Sequence, residues 1–449
     1  MIKTDFNRYT SKFVSGVDKG KFRKQEKNVL SDLISGELSY LNDINSFVAI
    51  DELNNIINVA NYVRENCDVF LVIGIGGSYM GSKAIMDALL PTFEKNKPEI
   101  IFLGTDLSSD YYKEVIEYIK DKQVILNVIS KSGNTLEPNI AFEIMSYIMA
   151  GKYSKEELKD RIIITTDKKD GSLRKLAKEE GYYTFEIPQK IGGRFSVFTP
   201  VGILPLAVAG IDVLKLLEGF MDAVEYIPVA VDYAVTRESL FKKGKTVEAF
   251  SVYNPKLYYF LEWIRQLFAE TEGKKGKGIL PIINVNTRDL HSMGQFLQEG
   301  NPIIFETVIG VEQAEVINIA KYNKTLNDIN KIAQEKVCQA HYEGTTPSNV
   351  INVDCLNEYN LGMLVRFFIT AAISSALLID VDPFNQPGVE KYKKLIADSL
   401  NNIFIFYRQF YCLFCFLNDI LIVRRSTYVS CFNFYCRCFI VINKTNKRI

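Results

Sequence analysis

Short apolar blocks rich in β-branched residues alternate along this chain with longer stretches in which apolar positions recur every three or four residues. Residues 69–73, 100–104, 124–130, 160–166 and 183–187 are of the first kind, too short for helices of their own, and read as buried strands. Between them lie amphipathic stretches: Met80, Ala84, Ile85, Ala88 and Leu89; residues 109–120; and Leu136, Ile140, Ile144, Met145 and Ile148. Strand and helix alternating at this period predict a doubly wound parallel sheet, whose ligands bind beyond the carboxyl ends of the strands.

The pattern resets over residues 226–244. A second series follows, with strands at 246–252, 303–308 and 349–353, a helix from Lys256 and a buried helix at 361–378. Ahead of both series, residues 1–50 are charged and carry Val29, Leu33, Ile34, Leu38 and Leu41 at helical spacing. The expected fold is therefore α/β, with two doubly wound αβα layers, mainly parallel sheets and a helical N-terminal arm. The expected divisions are the arm at 1–50, a first domain at 51–225, a second at 226–402 and an atypical tail at 403–449.

Two strand ends carry candidate chemistry. After the strand at 124 the chain reads Ser130-Lys131-Ser132-Gly133-Asn134-Thr135, then enters a helix with Pro138 in its first turn. Hydroxyls, a lysine and a glycine before a helix N-terminus suit an anion; an ordinary turn and N-cap would use the same residues. After the strand at 69 comes Gly74-Ile75-Gly76-Gly77-Ser78, a turn that lets a ligand approach the backbone or simply packs strand on helix. It is not a dinucleotide fingerprint, because the third glycine and the ribose-binding acid are missing, which disfavours a nicotinamide oxidoreductase. Arg194 follows Gly192 and Gly193, either as a surface ion-pair donor or aimed at an anion. Glu270 lies one turn after Gln266 on the helix from Lys256; a solvated helix-end carboxylate is the commoner fate of such a glutamate.

Composition narrows the choice. Hydrophobic residues make up 47% and charged residues 24%, with zero formal net charge, so no nucleic-acid partner is expected. The opening residues lack an apolar signal core. No run reads as a membrane span, and 367–379 reads as a buried helix, so a cytoplasmic protein is expected. Two histidines and scattered body cysteines leave no metal site. Residues 341–347 read as a loop. Residues 403–449 depart from the rest: seven basic residues against one acid, five of eight cysteines, twelve Phe or Tyr, and no Gly, Pro, Ala or Glu. Such a segment would aggregate or expose a large apolar patch, and out-of-frame coding sequence is the reading adopted for it, over a zinc site at its cysteines.

Six motifs stand in one order: GIGGS at 74–78, SKSGNTLE at 130–137, GGRFS at 192–196, AETEGK at 269–274, DLHSMGQ at 289–295 and FNQPGVEKYK at 384–393. Together they resemble the glucose-6-phosphate isomerase family in its shorter bacterial form, over roughly residues 1–400, with 311–345 compressed relative to that family. The resemblance implies two sugar-isomerase (SIS) domains, no cofactor, no metal, a sugar phosphate substrate and a homodimer. It implies Glu270 as the base and acid that moves a proton between C2 and C1, and Arg194 as the cation for the enediolate. It assigns ring opening to His291 and Lys393, with His291 entering the partner's site. Ser130, Lys131, Ser132 and Thr135 would hold the phosphate, Gly77 and Ser78 the sugar, and Gln266 the ligand. A phosphosugar-binding protein without catalysis, and an isomerase inactivated by its altered C-terminus, are the competing readings.

Overall fold

A computed structural model describes residues 1–15, 19–93 and 98–400. The expectations about the tail at 403–449 fall outside these residues. Residues Met1–Asn385 form one compact unit, and the described residues at 386–400 belong to a second.

The first sheet holds β2 (Val69–Ile73), β3 (Glu99–Leu103), β4 (Val124–Ile129), β5 (Ile162–Thr166) and β6 (Tyr183–Glu186), all parallel, in the order β3-β2-β4-β5-β6. Every residue of β2, β4 and β5 is buried, as their mainly apolar runs require of strands covered on both faces; the buried polar residues Thr165 and Asn127 bond to each other, Thr165 Oγ1 donating to Asn127 Oδ1 at 2.9 Å. The chain leaves β2 toward β3, then returns past β2 to β4. The point where the order reverses lies between β2 and β4, and such a reversal opens a crevice at the carboxyl ends of the two strands. The Gly74–Ser78 turn and the Ser130–Thr135 loop are the continuations of those strands.

The second sheet holds β1 (Ile2–Asp5), β7 (Val247–Val252), β8 (Leu280–Val285), β9 (Ile304–Val311) and β12 (Ser348–Val353), in the order β1-β12-β9-β7-β8. All pairings are parallel except that of β1, which runs antiparallel to β12. A short ribbon, β10 (Asn318–Ile319) with β11 (Lys324–Thr325), stands apart. The fold is the mainly parallel α/β architecture expected. Its N-terminal arm is mostly helical but opens with a strand: Ile2–Asp5 is too short to show a period and is held by pairing across more than 340 residues of chain.

Two differences from the sequence reading have clear causes. The helix Glu358–Leu378 starts earlier than the apolar run suggested, because the Asn357 side chain accepts a hydrogen bond from the Asn360 amide and caps it. It is also long and apolar enough to cross a bilayer, yet 94% of its most apolar stretch is buried inside the protein. The loop expected at 341–347 starts later, because residues 341–343 close the helix Leu326–Glu343, where His341 is buried with its Nδ1 2.5 Å from Glu306 Oε2.

The helix Tyr258–Glu272 is one of the elements that join the two halves, alongside the packing of Val213–Asp222 on Glu358–Leu378. Tyr258–Glu272 follows β7 and runs back along the second sheet, so its C-terminal end emerges at the opposite side from the strand's carboxyl end. It packs against Glu358–Leu378 of its own half and against Met80–Leu89, the helix that follows the Gly74–Ser78 turn. Its inner face is fully buried, including Phe260, Leu261, Trp263, Ile264, Leu267 and Phe268.

Candidate active site

The crevice between β2 and β4 is floored by backbone packed at close range. Gly76 has φ +57°, in the region that favours glycine. A Cβ on Gly77 would stand 2.1 Å from the carbonyl of Gly193 and 2.7 Å from the Arg194 nitrogen. The two glycine-rich turns are therefore in contact, backbone against backbone, and this seats Arg194 beside the Gly74–Ser78 turn. A Cβ on Gly76 would lie 2.9 Å from Nε2 of Gln266, so the joining helix arrives at the same point.

The loop after β4 is shaped by its own hydroxyls. Gly133 (φ +71°) donates its amide to Ser130 Oγ at 3.1 Å, and Asn134 donates to Ser132 Oγ at 3.2 Å. Each serine thus uses an acceptor site locally and keeps its O–H proton for another acceptor. Thr166 Oγ1 donates to the Ser130 carbonyl at 2.7 Å and ties the loop to β5. Thr135 occupies the N-cap of the helix Leu136–Ala150 without capping it through its side chain. The first turn of that helix consequently presents amide donors and a hydroxyl to the loop.

Lys131 does not project freely from this loop. Its Nζ donates to the carbonyls of Gln189 at 2.7 Å, Pro188 at 3.3 Å and Ile191 at 3.3 Å. Burial lowers its pKa from the ordinary lysine value, with Asp167 opposing the shift.

Arg194 is 2% exposed and held on several sides. Its Nε donates to Thr271 Oγ1 at 2.9 Å, its Nη2 to the carbonyls of Pro383 and, at 3.3 Å, Asn385. Its Nη1 lies 3.2 Å from Glu270 Oε2, while Gln266 Nε2 donates to Glu270 Oε1 at 3.1 Å. The i, i+4 spacing of Gln266 and Glu270 is thus realised as a hydrogen bond. Trp263 Nε1 donates to the Arg194 carbonyl at 3.3 Å, and Phe195 meets Phe384 edge-on at 5.8 Å. Burial lowers the Arg194 pKa, and the Glu270 carboxylate works against that shift. Glu270 itself keeps 36% of its side chain exposed, so a fixed cation and a fixed amide orient a carboxylate that still has an open side.

Two contributors to this arrangement were missed in the sequence. Glu272 forms a buried ion cluster with Arg237, whose Nε is 2.7 Å from Glu248 Oε2; Tyr233 donates to Glu248 Oε1 at 2.6 Å. Glu272 also accepts from the Ile279 amide at 3.4 Å, anchoring both ends of the loop after Glu270. Lys274 is buried with its ammonium on the Asp382 carbonyl; burial first, then the charge of Arg194, lowers its pKa to about 8. Arg237 could have been noticed as the lone cation of its helix, Ile227–Phe241; nothing marked Lys274 out from its neighbours in the hydrophilic run at 273–278.

The structure brings Gly77, Arg194, Gln266 and Glu270 together. His291 is exposed on a 3-10 turn, Arg288–His291, after β8. Lys393 belongs to the second unit, on a helical stretch at 390–400, with its Nζ 3.3 Å from Glu390 Oε1. Among the described residues, no group of three or more His, Cys, Asp or Glu could hold a metal ion.

Two doubly wound layers, with a helix from one delivering a carboxylate to the switch-point crevice of the other, are the arrangement of the sugar-isomerase class. The family model described as phosphoglucose isomerase matches residues 58–404, and the chain belongs to that family. A relative named glucose-6-phosphate isomerase from Caldanaerobacter subterraneus subsp. tengcongensis is 44% identical over 369 residues, covering 76% of this chain and 82% of that protein. Another of the same name from Staphylococcus saprophyticus is 43% identical over 365 residues, 77% of this chain and 82% of that protein. Among solved structures, a protein from Thermus thermophilus described as hypothetical matches with TM-score 0.79 and 25% identity, over 89% of this chain and all of that one. A glucose-6-phosphate isomerase from Chlamydia trachomatis shares the fold with TM-score 0.71 and 20% identity, over 82% of this chain and 76% of that one.

Proposed function

We propose that this protein interconverts glucose 6-phosphate and fructose 6-phosphate, with Glu270 carrying the proton between C2 and C1. The observation that supports this most is the double hold on Glu270: Arg194 at one oxygen, Gln266 at the other, beside the Gly76–Gly77 backbone. In the first step the carboxylate takes the C2 proton of the open-chain aldose, and charge develops on the oxygens of an enediolate. Arg194, already desolvated and fixed, neutralises that charge without reorganising. Glu270 then returns the proton to C1, and a hydroxyl proton moves from O2 to O1, so that nothing is gained or lost overall.

The phosphate sits far from the reacting carbons, and its binding serves to orient them. Ser130, Ser132 and Thr135 supply hydroxyl donors at the helix N-terminus, with Lys131 in the same loop; Gly77 and Ser78 lie along the sugar, and Gln266 contacts it. His291 and Lys393 are assigned to ring opening. In this reading the working form is a cytoplasmic homodimer with two SIS domains at 51–225 and 226–402, His291 of the partner subunit completes each site, and no cofactor takes part.

The test is turnover of glucose 6-phosphate by the purified full chain against Glu270→Gln. The substitution should lower kcat by about 10²- to 10⁴-fold while sugar phosphate binding persists. Equal turnover by the two proteins would sink the assignment of Glu270, and absent turnover by the unaltered chain would sink the isomerase itself.

A further inference from the structure

An ammonium group has three N–H donors. Those of Lys131 have three acceptors, the carbonyls of Pro188, Gln189 and Ile191, all within 3.3 Å. The backbone at 188–191 curls its carbonyls toward one point, and the point is occupied by a side chain from the loop after β4. To get there Lys131 crosses the carboxyl end of β5, since β4 and β6 are not neighbours. Ile191, 1% exposed, pins the far end of the curl in the core. Three residues later the same segment delivers Arg194.

We propose that Lys131 is a positioning residue that straps the anion-gripping loop to the segment carrying Arg194, and does not act as a ligand of the phosphate. This rests on the isomerase reading and adds to it a link between the two ends of the substrate. The phosphate grip at Ser130–Thr135 and the cation at the enediolate are then set in one geometry. A shift in the loop moves the 188–194 segment through one saturated ammonium, and the Gly77–Gly193 contact passes that shift to the sugar-binding turn. Turning Lys131 toward an anion would take a donor from three carbonyls in a partly desolvated place, and only that of Pro188 keeps another, the Ile191 amide at 3.2 Å, a cost that binding would have to offset. The hydroxyls of Ser130, Ser132 and Thr135 face no such cost.

The experiment compares Lys131→Met and Lys131→Arg with the unaltered full chain. It measures steady-state turnover, inhibition by inorganic phosphate, and amide hydrogen exchange over residues 188–195. Lys131→Met should lower kcat by about 10- to 100-fold, leave the phosphate inhibition constant within about threefold, and speed exchange in the segment; Lys131→Arg should recover most of kcat. Loss of phosphate affinity in step with kcat/KM, with kcat and exchange unchanged, would overturn the strap and make Lys131 a direct ligand. If Lys131→Met does not fold, Lys131→Gln is read by the same three measurements. If the unaltered chain shows no turnover, the isomerase reading fails separately, and exchange at 188–195 still decides the strap.

Discussion

The guanidinium of Arg194 and the carboxylate of Glu270 meet at 3.2 Å across 76 residues of chain, one buried to 2% exposure and the other still a third open. The asymmetry suits a pair in which the cation is furniture and the carboxylate works. Arg194 spends its other donors on Thr271, Pro383 and Asn385, so its position does not depend on Glu270. Arg194→Lys keeps the charge but not the planar fork that reaches Glu270, Thr271 and the Pro383 and Asn385 carbonyls at once. The expected result is a drop in kcat of about 10²- to 10³-fold with KM changed by less than about threefold, read from steady-state kinetics. A kcat within twofold of the original would mean that charge alone, without the fork, supports the reaction.

Gly77 and Gly193 face each other but differ sharply in what a methyl group would meet. At Gly77 it would collide with the Gly193 carbonyl at 2.1 Å, and backbone cannot swing aside; at Gly193 there is nothing within 4 Å. Gly77→Ala should therefore separate the two turns, lowering both thermal stability and kcat/KM, whereas Gly193→Ala should leave the melting temperature unchanged. Thermal denaturation of the two variants side by side checks the contrast. Equal stability of both would show that the turns are not in contact in solution.

Much of this was legible in the chain because buried parallel strands announce themselves as short, mainly apolar runs rich in β-branched residues. β2 and β4 were plain for that reason, and the polar turn after each follows from where a strand must end. The Gln266–Glu270 pair was legible too, since helical spacing alone puts the two on one face. What could not be read is long-range and polar. Nothing local says that Lys131 ends on carbonyls near residue 190, or that Pro383 and Asn385 close over Arg194. The same holds for His341: a polar stretch ending in Gly344 reads as a loop until Glu306, on a strand, draws the imidazole inward and the helix continues. Arg366 sits inside a helix between Val365 and Phe367, and Arg237 is the lone cation of its helix; only the assembled core shows what each is for, and Arg366 reaches the Leu41 carbonyl and Asn42 of the N-terminal arm.

The cluster of Arg237 with Glu248 and Glu272 holds the end of the helix that carries Glu270. Arg237→Met would leave two carboxylates buried without their cation, at a cost of about 3–5 kcal/mol in unfolding free energy. Urea denaturation of the variant measures it. Turnover per folded molecule should fall as well, because Glu272 is two residues from Glu270 and would lose its anchor. A variant as stable as the original would show that the cluster contributes little to holding the helix end.

Lys274 predicts a pH dependence of stability whose sign can be worked out. Its pKa falls from the ordinary 10.5 to about 8 in the folded protein, because burial and Arg194 disfavour its charge. Between about pH 8 and pH 10.5 the unfolded chain therefore binds a proton at this site that the folded chain does not, and stability rises with pH by linkage. Below about pH 8 the lysine is charged in both states, and its full destabilising contribution is present. Lys274→Met removes the titration along with the bond to the Asp382 carbonyl. The difference in unfolding free energy between the original and Lys274→Met should thus shift in favour of the original as pH rises from 7 to 9.5. Paired urea titrations at those two values give the answer, and a difference that does not change with pH would mean that Lys274 keeps an ordinary lysine proton in the folded state.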